Sequence, residues 1–101
     1  MLKESIIKTD LENIKYYSVR KYALNPYFDD FIANDIVSLM EKYNNVMKSA
    51  PIRLYHLYVL RYLKGYTQED IASEMGFTHT TIHSMQLSLI QWLSENIKKD
   101  D

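Results

Sequence analysis

The sequence predicts an all-α fold: a compact helical domain of about five helices with a C-terminal helix-turn-helix and a long last helix. Three observations predict it. Apolar residues recur at spacings of three and four along most of the chain. Both prolines and both glycines (Pro26, Pro51, Gly65 and Gly76) fall between those runs, where helices start and stop. No stretch alternates polar and apolar residues as a half-buried strand does. The 101 residues suit one domain, 1–101, with a helical pair over about 4–48 and a second part over about 51–97.

The first helix is expected from about Glu4 to Tyr22, where Ile7, Leu11, Ile14, Ser18 and Tyr22 make one stripe. Asp10 offers itself as the cap of a shorter version. Lys15, Arg20 and Lys21 lie mostly off the stripe, as a solvated face or as groups within reach of a phosphate. Asn25-Pro26 breaks the pattern, because the residue before proline avoids helical dihedrals. A second helix over Phe28 to Lys48 gathers Phe28, Ile32, Ile36, Leu39, Met40, Tyr43 and Met47 on one side and Asp30, Asn34, Glu41, Asn45 and Lys48 on the other.

Pro51 suits a helix start and Gly65 a stop, so a third helix spans about Pro51 to Lys64. Ile52, Tyr55, Tyr58, Val59, Leu60, Tyr62 and Leu63 occupy most of its circumference, leaving a narrow strip of Arg53, Arg61 and Lys64. Such a helix is central. Its tyrosines bury ring faces in the core or form a dimer seam, and the pattern leaves both open.

The most specific stretch runs from Thr67 to Met85. Thr67 can N-cap a short helix, with Asp70 three residues on as a weaker relative of the capping box. Ile71 and Met75 share its inner face, and Ala72 is small enough for a second helix to cross closely. Gly76 provides a turn residue of positive φ, Phe77 a plug between the helices, and Thr78 the next N-cap. Ile82, Met85 and Leu89 then give an apolar face to a helix that begins near His79 and continues through Trp92 and Leu93 to about Ile97. Lys98 and Lys99 suit its negative end.

With Gln68 opening the unit, Ala72 at the close contact, Gly76 in the turn and Ile82 in the second helix, this segment resembles the helix-turn-helix family. The wider stretch from Leu54 to Ile97 is similar to region 4 of sigma-70-type factors. That resemblance rests on the run from Val59 to Ala72, on Thr81-Ile82 and on the long last helix with Trp92-Leu93. Small phage-type transcription regulators, including late-gene activators, share the layout. The resemblance covers a little under half of the chain, and residues 1–48 carry no matching motif. It implies binding to double-stranded DNA with the second motif helix in the major groove. It also places Gln68 beside the DNA backbone, where its amide can bind phosphate and brace His79. The chain departs from the family where many members carry Lys or Arg along that helix: here stand His83, Met85 and Ser88, and Gln86 replaces a usual apolar residue.

The outward face of this helix offers Thr78, His79, Thr80, Thr81, His83, Ser84 and Ser88. Hydroxyls and imidazoles can hydrogen-bond to base edges and phosphates, and threonine methyls can meet thymine methyls. None supplies a fixed positive charge. The net charge is −1, and no Lys or Arg lies between Lys64 and Lys98, whereas Glu69, Asp70, Glu74 and Glu95 do. Phosphate contacts drive most non-specific DNA binding, so help must come from Arg53, Arg61, Lys64, a second copy or a partner such as RNA polymerase.

Other chemistries find little support. With no cysteine, disulfides and thiolate metal sites are excluded. His79 and His83 stand four apart, a spacing that can hold a metal, yet no third ligand is near, so no metal or other cofactor is expected. Ser73, Ser84 and Ser88 lack the strand-to-helix elbow of hydrolases, and two glycines make no phosphate-cradling loop, so no catalytic site is expected. Residues 1–10 lack the apolar core of a signal peptide and no run is long enough to span a membrane, so a cytoplasmic location is expected. Two functions remain: a sequence-specific transcriptional regulator acting with RNA polymerase or as a homodimer, and a protein-interaction module on the same scaffold. The second would bind a polymerase subunit or a phage assembly component instead of DNA.

Overall fold

A computed structural model describes residues 2–20 and 30–97 of the protein, apart from the side chains of residues 20 and 30–34. The fold is all-α: α1 (Glu4–Arg20), α2 (Asp30–Met47), α3 (Ile52–Tyr58), α4 (Gln68–Met75) and α5 (His79–Asn96). Tyr22, Lys21, the Asn25-Pro26 break, Phe28, Lys98 and Lys99 lie outside the described residues, as do the side chains of Arg20, Asp30, Ile32 and Asn34.

The expected stripe of α1 is its buried face, with Ile7, Leu11 and Ile14 fully enclosed and Ser18 buried beyond them. Asp10 does not cap a shorter helix; its Oδ2 accepts a 2.6 Å hydrogen bond from the Tyr43 hydroxyl of α2. Among the described side chains of α2, Tyr43 and Met47 are fully buried, and Leu39 and Met40 pack beside them. Each large apolar side chain enclosed in this way contributes roughly 1.5–3 kcal/mol.

The third helix differs from a plain α-helix. After Tyr58 it widens into a π-helical turn over Val59–Leu63, and the Lys64 amide reaches the Val59 carbonyl at 2.9 Å. Gly65, at φ +75°, ends it, and the Tyr66 amide returns to the Leu60 carbonyl at 2.9 Å. A Cβ on Gly65 would overlap Cγ2 of Val19, so glycine there is required by backbone conformation and by the close approach of α1.

The expected apolar circumference of α3 divides in two. Tyr58, Leu60 and Tyr62 are core, together with Leu57, which lies outside the expected apolar set. Ile52 is 83% exposed and Tyr55 43%, so they face outward. Tyr58 is therefore unavailable to a dimer seam, because its ring is enclosed and its hydroxyl donates to Asn44 Oδ1 at 2.6 Å.

Candidate nucleic-acid interface

The segment after Gly65 folds as its residues require. The Thr67 hydroxyl accepts from the Asp70 amide at 3.1 Å, and the Asp70 carboxylate accepts from the Thr67 amide at 3.2 Å. This is a complete reciprocal capping box, so aspartate closes it as glutamate does elsewhere. Gly76 takes φ +73° and ψ +28°, and the amides of Gly76 and Phe77 both return to the Ala72 carbonyl. Thr78 then caps α5 by accepting from the Thr81 amide at 3.2 Å, with the two threonine hydroxyls 2.9 Å apart.

The inner faces of this helix, turn and helix meet the rest of the core through Ile71, Ile82, Leu89, Ile90 and Leu93. Ala72, Met75, Phe77 and Met85 pack partly buried around them. With these positions committed inward, Thr78, His79, Thr80, Thr81, His83, Ser84 and Ser88 are all exposed. His79 to Ser88 spans roughly 15 Å of helix at ~1.5 Å per residue, about the width of a DNA major groove. Thr78 and Thr81 spend hydroxyl capacity on the cap, whereas His79, Thr80, His83, Ser84 and Ser88 follow one another around the outer face.

Gln68 is half-buried at the start of α4. Its amide nitrogen donates to Gln86 Oε1 at 2.8 Å, so the residue it braces is Gln86 and not His79. The Gln86 amide in turn donates to the Tyr62 hydroxyl at 3.1 Å. A polar residue at position 86 is thus accounted for: it links the first motif helix to the π turn. Burial pushes the Tyr62 hydroxyl up to about 12, against the opposing pull of the Arg61 charge and the Gln86 donor.

The three cations flanking the motif differ in their engagements. Lys64 is exposed. Arg53 is exposed too, with its guanidinium 5.6 Å from the centre of the Phe77 ring. Arg61 is half-buried, donates from Nη1 to the Tyr66 carbonyl at 2.9 Å, and has a buried Nε without a partner. It holds the loop before α4.

Two features of this surface escape a sequence reading. Leu87, half-exposed one turn beyond His83, adds an apolar group to the outer face of α5, and its position four after His83 was the available signal. The second is α1, which runs back along α5: the Ser94 hydroxyl donates to the Leu2 carbonyl at one end, and Val19 abuts Gly65 at the other. Between these ends, Lys8 and Glu12 of α1 line a groove of about 340 Å³ with Tyr62, Gln68, His83 and Leu87. No local pattern joins Lys8 to residues so distant in sequence.

Among the described residues no group of three or more His, Asp or Glu side chains is placed to hold a metal, and no helix is long and apolar enough to cross a membrane. No protein-family model matches the chain, and comparison with curated proteins and with solved structures gives no match.

Proposed function

We propose that the protein is a sequence-specific DNA-binding transcriptional regulator that inserts the first half of α5 into the major groove, acting with RNA polymerase or as a homodimer. The observation that carries this reading is the division of labour along α5. Ile82, Leu89 and Leu93 are fully buried while His79, Thr80, His83, Ser84 and Ser88 are exposed on a helix capped by Thr78 and entered through the positive-φ Gly76 that ends α4. Rigid helices carrying neutral hydrogen-bonding groups suit base-edge contacts, and Leu87 suits a thymine methyl. In this reading Gln68, at the N-terminus of α4, meets a backbone phosphate.

One observation favours the rival reading of a protein-interaction module in the cytoplasm: residues 65–97 contain no Lys or Arg, and Glu69 and Glu74 are exposed on α4. A mobility-shift assay with genomic fragments, at low and physiological salt and with and without RNA polymerase, separates the two. The regulator retards a defined fragment; the interaction module retards none and co-migrates with its protein partner.

A further inference from the structure

The motif alone is short of the positive charge that phosphate binding needs, and its electrostatic partner lies elsewhere in the fold. Because α1 runs back along α5, its solvent-facing side adjoins the face from which His79 to Ser88 project. Lys8 shares a groove with Gln68, His83 and Leu87. Lys15, two turns further along α1, shares the next groove with Asn13, Tyr16 and Gly65, immediately before the motif. Lys8 is exposed and Lys15 half-exposed, so an ammonium on a four-carbon stem can follow a phosphate at either place.

We infer that α1 is a backbone clamp: Lys8 and Lys15 contact the phosphodiester strand that passes Gln68 when α5 occupies the major groove. This rests on the DNA-binding reading above. It gives the N-terminal helix a role in binding. Glu12 lies between the two lysines and lines both grooves, so it faces the same strand with the opposite sign. Loss of a lysine and loss of this carboxylate therefore act in opposite directions, a signature that a merely structural role for α1 does not produce.

The test uses the full chain and fluorescence anisotropy on a duplex selected by the wild-type protein, over a series of salt concentrations. K8Q and K15Q each lower the magnitude of the log-log salt slope by about 0.9, the value for one phosphate contact. E12Q tightens binding roughly threefold, the effect of one unit charge at about 6 Å in water. K48Q makes the same change in net charge at an exposed residue outside both grooves and leaves the slope unchanged. If K8Q and K15Q behave like K48Q while a His79, Thr80 and Ser84 triple alanine variant loses its site, the clamp is wrong and the DNA reading stands. If the folded wild-type protein, alone and with polymerase, binds no duplex, both fall.

Discussion

Gln68 and Gln86, eighteen residues apart, are joined by a 2.8 Å hydrogen bond that ties the start of α4 to the middle of α5. Gln86 passes the connection to Tyr62 at 3.1 Å, so one side chain sets the spacing of three elements. Removing it leaves the enclosed Tyr62 hydroxyl and the half-buried Gln68 amide without these partners. Gln86→Ala is expected to cost about 1–3 kcal/mol, read as a lower urea midpoint at unchanged slope. An unaltered midpoint would show that the chain of amides carries no structural role.

The two glycines should respond differently to substitution. Both have positive φ, but a Cβ at Gly76 meets nothing within 4 Å whereas one at Gly65 overlaps Val19. Gly76→Ala should cost about 1–2 kcal/mol from backbone conformation alone, and Gly76→Val at least as much. Gly65→Ala should cost more, and adding Val19→Ala should recover part of the excess. Equal losses at the two sites, measured by thermal melting, would contradict the close approach of α1 to the turn.

Tyr58 is enclosed whereas Tyr55, one turn before it on α3, is exposed, and alanine distinguishes them. Tyr58→Ala should destabilise the fold by roughly 3–5 kcal/mol, as for other enclosed aromatic rings. Tyr55→Ala should leave stability within about 0.5 kcal/mol. If the homodimer uses this exposed face, Tyr55→Ala also shifts sedimentation toward monomer. A single monomeric species of the wild type at every concentration would dismiss the dimer.

Alkali should destabilise the fold through its enclosed tyrosines. Burial raises the pKa values of Tyr43, Tyr58 and Tyr62 above the usual 10.0, with Asp10 adding to the effect at Tyr43. A folded value above the unfolded one means that the stabilisation is fully present below about pH 10 and is lost as pH rises through the folded value, about 12 for Tyr62. Melting temperature should therefore fall across that window, and Tyr62→Phe should flatten part of the fall. Superimposable pH profiles for the two proteins would contradict this assignment.

Much of the fold was legible because its signals are local. The α1 stripe, the Thr67 and Thr78 caps, the Gly65 and Gly76 stops and the inward set Ile71, Ile82 and Leu89 each follow from residue type and spacing. The π turn was not legible, since a nearly all-apolar run from Leu57 to Leu63 carries no phase that would reveal one extra residue per turn. Nor was the exposure of Ile52 and Tyr55, because apolar residues at a helix start look the same whether or not a neighbour covers them. In the candidate interface, the outward residues of α5 followed from the inward ones. The Gln68 to Tyr62 chain and the Lys8 groove depend on tertiary contacts, to which periodicity is blind.

The central claim is that the outer face of α5 reads base edges, and the most direct measurement is a footprint of the triple variant His79→Ala, Thr80→Ala and Ser84→Ala on the wild-type site, with and without RNA polymerase. All three side chains are exposed, so helix content and melting temperature should be unchanged. Alanine cannot replace their hydrogen bonds, so the account predicts that site discrimination disappears while weak, salt-sensitive binding persists. The same protected site, at the same affinity, for the triple variant would contradict the assignment of α5 as the reading helix.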